Sequence, residues 1–281
     1  AIEPRPVAVA MTDADLPIGV FDSGMGGLTV LAALRQQLPQ EDFIYLGDTA
    51  RLPYGTKSPA TVQRYAQQAA GALVARGIKA LVVACNTASA TALHTLAEEF
   101  APLPVFGVVE PGALAACAVA DSSGVTVLAT ESTIAGGAYQ RALLRQRADM
   151  RVAGRPCPLW VTLAEQGGNT SELADAILLD GVRGLVRSDE APTAPSTLVL
   201  GCTHFPVFRA RLQRLLGAQV QVIDSAQTTA SAVVKALQAD GLLSDGGGAN
   251  QFLATDGVDR FQRVGPTFFG ASISAVELVD L

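Results

Sequence analysis

Residues 80–90 read ALVVACNTASA: an apolar run, Leu81–Ala84, stops at Cys85, and a stretch rich in Ala, Ser, Thr and Leu follows Asn86 and Thr87. A short unbroken apolar run is the mark of a strand buried on both faces, as in a parallel sheet. The polar break before a helix-forming stretch puts the thiol at the strand's carboxyl end. Residues 197–206, TLVLGCTHFP, repeat the arrangement, with Cys202 followed by Thr203, His204 and a proline. Strand and helix patterns alternate around both runs. They predict an α/β fold of mostly parallel sheets flanked by helices, in which ligands bind at strand carboxyl ends.

Outward from Cys85, the short run Ile18–Phe21 enters Asp22-Ser23-Gly24-Met25-Gly26-Gly27, and a helix opens at Leu28 and stops at Pro39. Strand, glycine-rich loop and helix can aim backbone N–H groups at an anion, so a nucleotide with Asp48 on its ribose is one reading. The dinucleotide fingerprint fails at its third glycine, which falls at Thr29, and no Gly-Lys-Ser/Thr triplet follows. A second strand, Phe43–Leu46, leads into TARLPYGTKSP, either a plain surface loop or one that places Tyr54 over a ligand. A helix over 59–76 and a strand over Val105–Val109 complete the first half; Glu110-Pro111-Gly112 and an Ala-rich helix follow.

At Gly124 the order restarts. Val125–Ala129 reads as a strand ending in Thr130-Glu131-Ser132-Thr133, with a helix from Gly136-Gly137 through Arg147. Leu159–Leu163 reads as the next strand, ending at Ala164-Glu165, then a helix over Glu172–Val186 and the Cys202 strand. Asp22, Asp48 and Cys85 thereby align in order with Thr130, Glu165 and Cys202. This predicts two similar lobes with an approximate two-fold relation and the site in the cleft between them. Beyond Cys202 come a helix over 207–216, a strand over 220–223 and a helix over 227–239. The tail, 251–281, reads as short strands with a short helix near its end. The expected division is a flexible extension, 1–16, a first lobe of 17–109 with 226–281, and a second lobe of 110–225.

Composition narrows the function classes. The net charge of −6 and pI near 5.0, with no basic run, argue against nucleic acid as a partner. No stretch approaches a membrane span. Four cysteines without regular spacing do not make a disulfide framework and fit a reducing cytoplasm.

A lone cysteine at a strand end is most simply core packing; two at matching positions point to chemistry. Zinc is a weak rival, since C-T-H is unlike the usual ligand pairs, and a redox pair lacks C-x-x-C. A Cys202–His204 hydrolase leaves Cys85 without a task. Two-base proton transfer uses both: one group removes a proton from one face of a stereocentre and the other delivers one to the opposite face. Thiols, with an ordinary pKa of about 8.5, suit either role. Helix N-termini beside both cysteines favour the thiolate. Asp22 and His204 are candidate proton acceptors on the two sides, or more plainly a helix cap and a structural hydrogen bond.

FDSGMGGLTV, RLPYG, VVACNTASA, ATESTI and LGCTHFP, in that order between Pro17 and the chain end, resemble the glutamate racemase family. The resemblance implies two α/β lobes and cofactor-independent, metal-free interconversion of L- and D-glutamate, the D-isomer serving peptidoglycan synthesis. It implies Cys85 and Cys202 as the acid/bases, for D- and L-glutamate respectively, with Asp22, His204 and Glu165 assisting. Ser23, Tyr54, Gly55, Asn86, Thr87, Thr130, Thr133 and Thr203, with Asp22 and His204, are the implied substrate contacts. A cytoplasmic homodimer is implied as well. VTLAEQG, around Glu165, departs from the family's usual proline and second acidic residue, and the extension before Pro17 is longer than in the shortest members. Alternatives are a two-cysteine racemase for aspartate or hydantoins, and a non-catalytic carboxylate-binding module.

Overall fold

The apolar runs become strands whose every residue is buried: β1 (Ile18–Asp22), β2 (Phe43–Gly47), β3 (Ala80–Val83), β5 (Val125–Ala129) and β7 (Thr197–Gly201). The structure is a computed structural model that describes residues 13–168, 171 and 173–281. After β1 comes α1 (Leu28–Gln37); after β2, a 3-10 turn (Tyr54–Thr56) and α2 (Pro59–Val74); after β3, α3 (Asn86–Glu99). β4 (Val105–Gly107) leads to α4 (Val109–Val119), and β5 to α5 (Glu131–Gly136) and α6 (Ala138–Gln146). β6 (Val152–Pro156) precedes α7 (Pro158–Glu165) and α8 (Leu173–Val182), and β7 precedes a 3-10 turn (Phe205–Phe208) and α9 (Arg209–Leu216). β8 (Gln221–Asp224), α10 (Ser225–Ala239), β9 (Asn250–Ala254), α11 (Val258–Phe269) and β10 (Glu277–Leu278) follow.

Two sheets form among the described residues, with strand orders β10-β9-β2-β1-β3-β4 and β6-β5-β7-β8. Every pairing is parallel. The block β2-β1-β3-β4 recurs as β6-β5-β7-β8, so β3 and β7, the cysteine-bearing strands, occupy corresponding places. Alternate residues serve opposite faces. Ile18 and Val20 join a core that also holds Leu198 and Leu200 of the second sheet, while Phe21, Leu81 and Val83 pack beneath α2 and α3. Burying each such side chain contributes about 1.5–3 kcal/mol, which is why these runs tolerate few polar residues.

Several expectations need correction. Leu159–Leu163 is not a strand but lies within α7; its sheet neighbour is β6, a half-exposed edge strand of sequence VAGRP. Glu165 therefore closes a helix, and Cys157, directly after β6, stands where Asp48 stands after β2. The 105–109 strand ends at Gly107, because Glu110, Pro111 and Gly112 already form the first turns of α4. Glu131, Ser132 and Thr133 are helical, so a helix precedes the Gly136-Gly137 pair as well as following it. The tail is dominated by the 12-residue helix α11 rather than by strands. Of the proposed extension, 1–12 lies outside the described residues. Asp13–Asp15 is a 3-10 turn held by Lys79 Nζ, which donates to Ala14 O at 2.6 Å and pairs with buried Glu41 at 2.5 Å. The start at Glu172 of the following helix also lies outside the described residues.

Candidate active site

The carboxyl ends of β1, β3, β5 and β7 converge. Asp22, the last residue of β1, is fully buried and accepts from Gly24 N at 2.9 Å and from Thr203 Oγ1 at 3.4 Å. Its carboxylate caps the tight turn after the strand rather than helix α1. Burial raises its pKa, against the nearby His204 charge and the N–H groups of Gly27, Gly24 and Ser23. The glycine-rich loop serves closeness between lobes, not a phosphate: a Cβ on Gly26 would lie 2.5 Å from both His204 Nδ1 and Thr203 Oγ1. Thr29 Oγ1, from α1, reaches Thr203 O at 2.9 Å across the same seam.

Cys85 sits just beyond β3 as the N-cap of α3, 5% exposed, its sulfur accepting from Ala88 N at 3.5 Å and donating to Ser23 Oγ at 3.4 Å. The expected thiolate-favouring helix terminus is present as that Ala88 contact. Burial and the Asp22 charge outweigh it, and the thiol is pushed up to about 12. Burial and the Asp22 charge thus favour the neutral thiol at Cys85. Cys202, 4% exposed beyond β7, has His204 Nδ1 3.7 Å from its sulfur. His204 Nε2 meets Glu165 Oε1 at 3.0 Å, and Glu165 Oε2 accepts from Arg260 Nη2 at 2.8 Å. Burial disfavours the imidazolium, but the hydrogen bonds and charges of Cys202 and Glu165 win and raise His204 to about 10. Burial likewise opposes ionisation of Glu165, yet His204 and Arg260 bring it down to about 2.

These shifts set a pH window. The contribution of His204 to folding is complete below its ordinary 6.5 and is lost as pH rises through about 10. That of Glu165 is complete above its ordinary 4.5 and is lost as pH falls through about 2. Glu165→Gln is therefore expected to lower the urea midpoint at pH 7 and to lower it less above pH 10. Equal penalties at both pH values would show that the pair carries no charge-dependent stability.

The other sequence-derived residues fall at the same place. Thr87 at the start of α3 and Thr130 and Thr133 around the start of α5 form a triangle of hydroxyls with separations of 3.0, 3.3 and 3.0 Å, joining the lobes. Gly55 gives Thr130 room: a Cβ there would lie 2.7 Å from Thr130 Cβ. With its amide oriented to satisfy both ends, Asn86 donates to Gly201 O at 3.3 Å and to Tyr139 Oη at 2.7 Å, and accepts from Thr203 N at 3.3 Å. Tyr54 is buried, with its hydroxyl donating to Asp48, which also accepts from Arg51 and Thr255. Asp48 is thus committed within the first lobe and is not free for a ribose. His94 is exposed and pairs with Glu98, away from the site. Arg260, Phe268 and Tyr139 are the contributors the sequence did not reveal. For α11 a signal existed: apolar residues at 258, 261, 264 and 268 between Gly257 and Gly270, both with positive φ, fit a helix, though Pro266 inside it argues otherwise. Among the described residues no group of three or more His, Cys, Asp or Glu is arranged to hold a metal ion, and no helix is long and apolar enough to cross a membrane.

Two parallel α/β lobes, each carrying a cysteine beyond the corresponding strand, define the class as that of the two-lobed racemases. The sequence profile of the Asp/Glu/hydantoin racemase family matches residues 18–233. The glutamate racemase of Geobacter metallireducens is 46% identical over 94% of this chain and 96% of its own. Among solved structures, a glutamate racemase isoform from Bacillus anthracis superposes with a TM-score of 0.86 at 36% identity, over 95% of this chain and 98% of that one. The Francisella tularensis glutamate racemase, solved in complex with D-glutamate, also gives 0.86, at 32% identity with the same coverage of both chains. The chain belongs to the aspartate/glutamate/hydantoin racemase family.

Proposed function

We infer that this protein is a cofactor-independent glutamate racemase that moves the α-proton between two thiols. The observation that carries the reading is the pairing of Cys85 and Cys202 just beyond β3 and β7, corresponding strands of two sheets with the same order. With L-glutamate, Cys202 passes its proton to His204 and takes the α-proton, breaking the Cα–H bond. Cys85 gives its S–H proton to the opposite face of the planar carbanion, and the D-isomer forms. The reverse reaction exchanges the roles, with Asp22 serving Cys85. Glu165 supports the imidazolium of His204.

Ser23, Asn86, Thr87, Thr130, Thr133 and Thr203, with the loop at Tyr54 and Gly55, would bind the two carboxylates and the amino group mainly through neutral donors. The burial of both thiols and the threonine contacts between lobes support a parting of the lobes, 17–109 with 226–281 from 110–225, when substrate enters. The reading extends to a cytoplasmic homodimer supplying D-glutamate for peptidoglycan.

The test is proton NMR of L- and D-glutamate, each in deuterated buffer, with optical rotation followed in parallel. Loss of the α-proton together with decay of rotation is expected from either isomer. Exchange of aspartate but not glutamate would keep the mechanism and overturn the substrate. Binding of glutamate without exchange would leave a carboxylate-binding module.

A further inference from the structure

The C-terminal helix α11 reaches across to the acid/base group of the second lobe, and it does so twice. Arg260 holds Glu165 Oε2 at 2.8 Å, while Glu165 Oε1 holds His204 Nε2 at 3.0 Å. Two turns further along, Phe268 packs edge-on against the His204 imidazole, ring centroids 5.2 Å apart and planes at 82°. His204 Nδ1 then faces the Cys202 sulfur at 3.7 Å.

We propose that Arg260 is a positioning residue for the Cys202 half of the reaction: it fixes Glu165 on His204 Nε2 and so keeps Nδ1 aimed at the thiol. The proposal rests on the reading of Cys202 and His204 as a proton-transfer pair. Glu165 needs such a restraint. It is the last residue of α7, and its carboxylate borders a cavity.

 The cavity beside Glu165 has a volume of about 380 Å³ and is lined by Gln166, Gly167, Arg263 and Val264 among others. It gives the carboxylate room to swing off His204 into water. The Arg260 side chain is 38% exposed, so its ion pair adds little stability, and its effect lies in orientation.

Charge and position make opposite predictions. Cys202 from the end of β7, Glu165 from α7, Asp22 from β1 and Arg260 from α11 surround His204, with Arg263 one turn beyond Arg260. As a charge alone, Arg260 disfavours the imidazolium, and removing it would raise the His204 pKa. As the restraint on Glu165 it favours the imidazolium, and removing it lowers that pKa.

The chain has two histidines, so ¹⁵N-histidine labelling resolves His204 once the exposed His94 is assigned with His94→Gln. Arg260→Gln is expected to shift the His204 midpoint down by about one unit or more. It should also reduce kcat/KM by about tenfold or more. Arg260→Lys should recover most of both. A midpoint unmoved or raised in Arg260→Gln, or no recovery in Arg260→Lys, overturns the proposal. Racemisation retained by Cys202→Ser would instead sink the underlying reading, and the proposal with it.

Discussion

Replacing Cys85 or Cys202 by serine is expected to reduce racemisation by about 10³-fold or more, within the range that positioned proton transfer contributes. Serine keeps the size and the hydrogen bonds, but its hydroxyl is far too weak an acid to be a base at neutral pH. The two variants should differ in what survives. In Cys85→Ser, Cys202 can still remove and return the α-proton of L-glutamate, so solvent deuterium enters that isomer faster than it inverts. In Cys202→Ser the same holds for D-glutamate. Mass spectrometry of each isomer, alongside optical rotation, reads both quantities. Equal washout of both isomers in either variant would mean that the thiols are not assigned to opposite faces.

The second large effect is expected from one methyl group. In Gly26→Ala the new Cβ would lie 2.5 Å from His204 Nδ1 and 2.5 Å from Thr203 Oγ1. Neither can yield cheaply: His204 is held by Cys202, Glu165 and Phe268, and Thr203 by Asp22. Displacing the imidazole by about 1 Å predicts a loss of about 10²-fold in kcat/KM. Overpacking of this kind costs about 1–3 kcal/mol of stability. Gly136→Ala is the control, since a Cβ there meets nothing within 4 Å. Kinetics and thermal unfolding of the two variants decide it, and wild-type activity in Gly26→Ala would show that the seam is looser than its distances.

Legibility in the sequence followed burial. A central parallel strand is covered on both faces, so β1, β2, β3, β5 and β7 had to be apolar runs and are readable as such, with Asp22 ending β1 and Cys85 and Cys202 following β3 and β7. The edge strand β6 is not legible in the sequence because VAGRP is half-exposed and needs few apolar residues. The richer run beside it, Leu159–Leu163, reads as a strand but lies within α7, which buries Trp160 and Ala164, four residues apart on one helical face. Glu165, which the sequence places at the end of a strand, therefore closes a helix instead.

The sequence by itself determined the α/β class, the repeat of one βα scheme and the delivery of a thiol beyond each of two corresponding strands, because local hydrophobic pattern suffices for these. Only the tertiary structure decided which groups those thiols meet. Arg260 and Glu165 are distant in sequence, as are Asn86 and Tyr139, and no local pattern encodes their contacts. The protonation of Cys85 and His204 was likewise beyond the sequence. It depends on the balance between desolvation and neighbouring charge, and that balance exists only once the lobes have packed together.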